Sequence, residues 1–263
     1  MEISITHLDT ACCIIEIDSL TILTDPVFDE PGKYYHHGYG AISKKTSHPT
    51  INVEELPKID LILLSHPQHM DNFDKKGRKF AENVPLILST KKIEKKYSNG
   101  ISMIPWQTHK LTTPNNSEIV ITATPAKHHP KWLPEFFSGK VIGFVIQHSK
   151  LTNSLYISGD TIFYKGIQET AEKFPNISIS LLHVGGVEFR YLTGFGLYTM
   201  NRKGYVKTIK TINPKIAIPI HNNGWTHFKE NDEGVKKELK NNVEEMNKTV
   251  FLEKGKKTVF NLD

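Results

Sequence analysis

The chain has 263 residues, of which 38% are hydrophobic, 10% aromatic and 23% charged, a mix that supports a packed core and argues against a disordered chain. It has no apolar run of about eighteen residues, which excludes a spanning helix, and its opening, MEISITHLDT, lacks the basic-then-apolar layout of a secretory signal, so the cytoplasm is the expected compartment. The net charge of +5 is spread among both signs; Lys91, Lys92, Lys95 and Lys96, and later Lys254, Lys256 and Lys257, read as solvated helix faces and a solvated tail rather than a nucleic-acid surface.

Three strands are predicted first, Ile3 to His7, Ala11 to Ile17 and Leu20 to Thr24, the last two joined as a hairpin through Asp18 and Ser19. From Pro26 to Pro57 no period emerges, and this stretch is expected to be a long loop of the kind that carries function. Asp60 to Ser65 is almost wholly apolar, the mark of a strand covered on both faces. Helices follow at Lys75 to Asn83 and Lys91 to Tyr97, around a strand at Pro85 to Ser89. Strands are then expected at Glu118 to Ala123, Val141 to Gln147, Ser154 to Ser158, Ile177 to Val184 and Lys215 to Ile220. The remaining helices read at Gly166 to Phe174, Asn201 to Ile212 and Glu233 to Met246. Both halves share this plan, which predicts two stacked sheets with helices outside, an α/β or α+β fold, in one domain spanning 1–263.

The two cysteines, Cys12 and Cys13, are neighbours inside an apolar run. On a strand they face opposite ways, so they make neither a disulfide nor a metal pair and read as small hydrophobes. Histidine is the unusual count, at 13. Four apolar runs end in a polar cluster: DLILLS in His66-Pro67-Gln68-His69-Met70-Asp71-Asn72, IVITA in Thr124-Pro125-Ala126-Lys127-His128-His129, SLYIS in Gly159-Asp160-Thr161, and KIAIPI in His221-Asn222-Asn223-Gly224-Trp225. Should these strand ends share one rim, His66, His69, Asp71, His128, Asp160 and His221 converge. Imidazoles and carboxylates are what a divalent transition metal binds, and two metals bridged by a carboxylate bring the pKa of a bound water toward neutrality. Each cluster alone is weak, since a lone strand-end histidine is more often a hydrogen-bonded rim residue. The conjunction carries the reading.

These motifs, in this order and together with Ile5-Thr6-His7-Leu8 and Leu23-Thr24-Asp25-Pro26, resemble the metallo-β-lactamase superfamily, and within it the branch of L-ascorbate-6-phosphate lactonase-like and N-acyl-phosphatidylethanolamine phospholipase D-like hydrolases. The resemblance runs from the first strand to Trp225. It implies an αββα sandwich with a di-metal centre at one edge of the sheets. It implies His66, His69 and His128 around one ion, Asp71 and His221 around the other, and Asp160 bridging. The chain departs from the family's His-x-His-x-Asp-His: here the motif is His-x-x-His-x-Asp-Asn, with one added residue and Asn72 in the place of a histidine. That leaves open whether His66 still reaches the ion, and whether Gln68 or another residue completes the second site, because an amide oxygen is a weaker zinc ligand than an imidazole.

Other residues have softer readings. His7 is read as supporting the centre through a hydrogen bond, or as capping the first strand, and Asp25 as orienting a ligand or as a turn residue. His129 rivals His128. His227 either lines the pocket or packs on Trp225; Tyr34, Tyr35, His36, His37 and Tyr39 offer one wall of a cleft; Arg190 binds an anionic group or forms an ion pair. The expected activity is metal-dependent hydrolysis of a small ester, lactone or phosphodiester, with metal-held hydroxide as nucleophile and Asp71 or Asp160 taking a proton. Zinc, as one or two ions, is the expected cofactor, with manganese or iron compatible, and a small molecule the expected partner. Two rival readings are a metal-poor scaffold that binds a ligand, and a nuclease-like phosphodiesterase.

Overall fold

The computed structural model describes residues 1–261. Strands β1 (Glu2–Asp9), β2 (Cys12–Ile17) and β3 (Leu20–Thr24) form an antiparallel meander. Asp18 and Ser19 join β2 to β3, both at positive φ (43° and 66°), as the twist of a two-residue hairpin demands. A separate ribbon, β4 (Tyr34–Gly38) and β5 (Ala41–Lys44), precedes β6 (Leu61–Leu63), helix α1 (Lys75–Ala81), β7 (Ile87–Ser89) and β8 (Gly100–Ser102). Then come β9 (Thr108–Thr112), β10 (Glu118–Pro125), β11 (Ile142–His148), β12 (Ser154–Ile157), α2 (Lys165–Lys173) and β13 (Ile177–His183). The chain ends through α3 (Arg190–Thr193), α4 (Arg202–Ile212), β14 (Ile216–Ile220), α5 (Asp232–Leu239), α6 (Val243–Lys248) and β15 (Thr258–Asn261).

Two mixed sheets result, ordered β15-β1-β2-β3-β6-β7-β8 and β14-β13-β12-β11-β10-β9. Their facing sides share one core. Alternate residues Ile3, Ile5, Cys13, Ile15, Leu61 and Leu63 of the first sheet pack with Ile119, Ile121, Phe144, Ile146, Leu155, Ile157, Ile179 and Leu181 of the second. The intervening residues face outward under the helices: Cys12, Ile14, Ile62 and Leu64 with Phe73 and Ala81 on one side, Val145, Tyr156 and Ala217 with Ile167, Tyr205 and Ile209 on the other. This is the αββα sandwich, and it explains the unbroken apolar run at β6 and the opposite burial of the two free cysteines.

The structure corrects several sequence expectations. The stretch from Pro26 to Pro57 holds the β4–β5 hairpin and a 3₁₀ turn at Val53–Glu55; the inward residues of β4 are Tyr35 and His37, whose polar ends hide the strand period from an apolar pattern. The predicted helix at Lys91 to Tyr97 is a series of turns, closed by three-residue bonds from Ile93 N–H to the Thr90 carbonyl, Lys96 N–H to the Ile93 carbonyl and Gly100 N–H to the Tyr97 carbonyl. The single helix expected at Glu233 to Met246 is two, α5 and α6, broken where the Asn242 amide bonds the Glu238 carbonyl. The lysine-rich tail is followed by β15, whose Phe260 enters the shared core and whose pairing with β1 extends the first sheet. No helix among the described residues is long and apolar enough to cross a membrane.

Candidate metal centre

The four polar clusters do meet. His66, His69 and Asp71 follow β6, His128 follows β10, Asp160 follows β12 and His221 follows β14, and all six side chains are buried. They form two adjoining groups, His66–His69–His128 and Asp71–Asp160–His221, within each of which the ligand atoms lie within 4.8 Å of one another. His66 Nε2 is 2.9 Å from His69 Nδ1. Ligand atoms about 2.1 Å from one ion stand about 3.0 Å apart at a right angle and about 3.4 Å apart at the tetrahedral angle. The added motif residue therefore does not remove His66 from the cluster. Asp160 spans the groups: its Oδ2 lies 3.9 Å from His66 Nε2 and 3.8 Å from His128 Nδ1, and its Oδ1 3.5 Å from His221 Nε2.

Surrounding hydrogen bonds fix the rings. The His128 Nδ1–H donates to the Tyr198 carbonyl at 2.9 Å, which leaves Nε2 with its lone pair. Asp25 accepts from the Ser65 backbone N–H (2.7 Å), and the Ser65 hydroxyl lies 2.8 Å from His66 Nδ1, so Asp25 reaches a candidate ligand through one residue. The other Asp25 oxygen pairs with His183 Nε2 at 3.3 Å. His183 was not singled out in the sequence, although it too ends an apolar strand. His7 donates to the Thr10 carbonyl, which also accepts the His221 backbone N–H at 2.7 Å; His7 thus steadies the loop that carries His221. Two close approaches depend on glycine. A Cβ at Gly159, beside Asp160, would collide with the Ile142 carbonyl, and one at Gly224 would meet Ser47 Oγ at 2.5 Å, both at positive φ.

Burial first, then neighbouring imidazoles, hold His66 and His128 well below the usual histidine range; burial also brings His69 and His227 down to about 4 against the opposing pull of Asp71. These rings are neutral near pH 7 and can offer lone pairs. Burial pushes the Asp160 carboxyl up to about 7, with Asp71 adding to the rise and His221 opposing it. Burial would lift Asp71 too, but His37, His221 and His227 hold it well below the carboxylate range. At His221 burial is outweighed by Asp160 and Asp71, and its pKa is raised. Both Asp160 oxygens and both His221 ring nitrogens are buried without a hydrogen-bond partner. Buried polar atoms are almost always paired, so orphans gathered this closely fit a divalent cation as the missing partner. The all-imidazole and carboxylate donor set suits zinc, manganese or iron.

The centre floors a cleft of about 350 Å³, lined by His37, His69, Asp71, His128 and His227 at its base and by Tyr39, Trp132, Leu133, Phe137, Val187, Phe189, Leu192 and Tyr198 on its walls. Among the described residues no lysine or arginine lines it. Of the aromatic loop, Tyr39 and His37 reach this cleft, whereas Tyr35 is buried with its hydroxyl on Asp29, and Tyr34 and His36 are exposed. Gln68 does not turn to the centre: its amide donates to the Ser138 and Lys140 carbonyls. His129 bonds the Pro130 carbonyl and stands outside both groups, and Arg190 pairs with Glu188.

The β-lactamase superfamily domain profile matches residues 21–222. A UPF0173 metal-dependent hydrolase of Pyrococcus furiosus is 26% identical over 206 residues, covering 77% of this chain and 82% of its own length. One of Thermoplasma acidophilum is 30% identical over 182 residues, covering 68% and 72% respectively. Among solved structures, the isothiocyanate hydrolase from Delia radicum gut bacteria superposes with a TM-score of 0.79 at 18% identity over 98% of this chain and 99% of that one. Igni18, a metallo hydrolase of Ignicoccus hospitalis, gives 0.72 at 19% identity over 100% of both. The profile match spans most of the chain, so this protein is a member of the metallo-β-lactamase superfamily.

Proposed function

We propose that this metal-dependent hydrolase cleaves a small, uncharged ester or lactone whose apolar part lies against the aromatic wall of the cleft. In this reading His66, His69 and His128 would hold one ion and Asp71 and His221 a second, with Asp160 lying between the two groups. When bound, such ions lower the pKa of a water and polarise the oxygen that becomes negative. The chain's own residues do the rest. Asp71 or Asp160 would take the proton of the attacking water, and His37, with Nδ1 3.3 Å from Asp71 Oδ1 and Nε2 2.7 Å from Ser43 Oγ, orients the Asp71 carboxylate. The walls exclude water from the reacting carbonyl and orient the apolar group.

One observation carries this choice of substrate: a floor of imidazoles and carboxylates beneath walls with no cation. The ions would balance charge at the reacting centre, but a phosphate carried on another part of the substrate would meet walls without the arginine or lysine that normally receives it. The phosphorylated-lactone and phospholipid branch of the superfamily is thus the less favoured finer assignment. Protein purified without chelator should contain zinc, manganese or iron by elemental analysis. Its turnover of neutral p-nitrophenyl esters and lactones should exceed that of bis(p-nitrophenyl) phosphate, vanish on chelation and return with metal. Isothiocyanates belong on the same panel, being small uncharged electrophiles and the named substrate of one structural neighbour. A preference for the phosphodiester, or no metal-dependent turnover anywhere on the panel, overturns the proposal.

A further inference from the structure

We infer that His227, outside every motif that carries the family resemblance, is a ligand of the second ion and supplies the imidazole that Asn72 lacks. The inference rests on the two-ion reading above and extends it to a residue that reading does not use.

Asn72 is fully buried, and its Nδ2 lies 3.4 Å from Asp25 Oδ2 and 3.5 Å from Ser65 Oγ. The Nδ2 donor is thus spent on the support of His66, while Oδ1 is buried without a hydrogen-bond partner and can offer an ion only an amide oxygen, a weaker ligand than an imidazole. The second group is then left with one imidazole, His221, and two carboxylates. The two oxygens of Asp71 show where another would enter. Oδ2 faces His221 Nε2 at 3.5 Å and His227 Nε2 at 2.9 Å, whereas Oδ1 faces His37 Nδ1 at 3.3 Å. His221 and His227 therefore share one carboxylate oxygen, the one directed into the second group, and His37 takes the other. A separation of 2.9 Å is close to the roughly 3.0 Å between two ligand atoms about 2.1 Å from a common ion at a right angle.

The His227 ring is also fixed in place. It stacks on Phe189 (centroids 5.7 Å apart, planes at 17°), meets Phe228 at 4.5 Å, and is 6% exposed. Its backbone segment is tied to the hairpin by Thr226 N–H on the Lys44 carbonyl. A ring this constrained, with Nε2 aimed at a carboxylate oxygen that another candidate ligand already faces, is organised as ligands are. A plain hydrogen bond from His227 to Asp71 is the alternative, and it predicts a different stoichiometry.

Zinc titration of apo-protein by calorimetry separates the two. Wild type is expected to bind two equivalents. His227→Ala and His227→Gln are expected to keep the first at unchanged affinity and to weaken the second by about 100-fold or more. His129→Ala, at a half-buried histidine outside both groups, serves as the control and should match wild type. Wild-type protein loaded with cadmium-113 adds a readout independent of any variant's folding: scalar coupling between the ion and the His227 ring nitrogen is expected. Two equivalents bound by both His227 variants at wild-type affinity, or cadmium coupling at other histidines and none at His227, overturns this inference alone. Wild type that binds no zinc at all overturns the two-ion reading beneath it.

Discussion

Asp9 and Lys45 form an ion pair with both side chains 0% exposed, Nζ to Oδ2 at 2.7 Å, and its removal tests how the site is braced. Asp9 Oδ1 also accepts from Ser47 Oγ and from Lys254 Nζ at 3.1 Å, whereas the Lys45 ammonium otherwise meets the Trp225 ring face, 5.7 Å away, and feels Asp74 at longer range. The partners are therefore unequal. Asp9→Ala strands a buried cation and should cost about 3–5 kcal/mol, the usual penalty for halving a buried pair. Lys45→Met leaves Asp9 with Lys254 and Ser47, and should cost about 1–3 kcal/mol. Because the double variant removes the stranded charge, its loss should fall short of the sum by about 2 kcal/mol or more. Urea unfolding in the presence of chelator, with m-values compared across the four proteins, measures all three quantities. An Asp9→Ala cost under about 1 kcal/mol, or strict additivity in the cycle, refutes the asymmetry argued from these contacts.

Further outcomes follow from the same geometry. His69→Ala and His128→Ala should each lower the metal content found by elemental analysis while far-UV circular dichroism stays near wild type; unchanged metal in both would show that these rings are not ligands. His7, which burial first and Lys254 next bring down to about 4, is neutral in the folded chain at pH values where the unfolded chain has begun to protonate it. Its contribution to stability is therefore whole above pH 6.5 and is lost as pH falls toward 4, which amounts to about 2 kcal/mol at pH 5. His7→Gln should flatten the difference in urea stability between pH 7 and pH 5 by that amount, and an equally steep profile would rule the buried ring out as its source. Leu192, a 40% exposed member of the cleft wall, can be changed to arginine without disturbing the core. Leu192→Arg should raise the kcat/KM ratio of anionic to neutral substrates about tenfold, and an unmoved ratio means this wall does not meet the substrate.

The parts of this molecule that were legible in its sequence are those where burial and chemistry write separate signals. β6 is covered on both faces, so it reads as an unbroken apolar run, and the abrupt change to His66, His69 and Asp71 marks its exit into a polar site. β10, β12 and β14 repeat that pattern, which is why His128, Asp160 and His221 stood out. Where polar side chains do the packing the signal is lost. In β4 the inward residues Tyr35 and His37 bond Asp29 and Ser43 instead of filling an apolar core, and the strand passes for loop. β15 is recruited through Phe260 alone from a lysine-rich segment, so no local period announces it. His227 and His37 owe their significance to Asp71, 156 residues before the first of them and 34 after the second, and no local spacing expresses a relation of that kind.

The departure at Asn72 makes sense once the supports of the two groups are compared. The three-histidine group hangs on the sheets: His66 is steadied through Ser65 and Asp25, which sit at the ends of β6 and β3, and His128 through the carbonyl of Tyr198. The two imidazoles that face Asp71 from outside the motif, His37 and His227, lean on the hairpin instead. Lys45 bridges Trp225, Thr46 N–H bonds the Gly224 carbonyl, Thr226 N–H bonds the Lys44 carbonyl, and Ser43 on β5 holds His37 on β4. The hairpin and the segment from Gly224 to His227 are therefore zipped into one unit that carries both imidazoles facing Asp71 from outside the motif. A histidine at position 72 would be fixed by β6; His227 is fixed by a ribbon that belongs to neither sheet. Loosening that ribbon should act on the second group before the first. Asp9→Ala, which strands Lys45 at the base of the zipper, is accordingly expected to weaken the second zinc equivalent more than the first, and that ordering links the stability of the hairpin to the occupancy of the site.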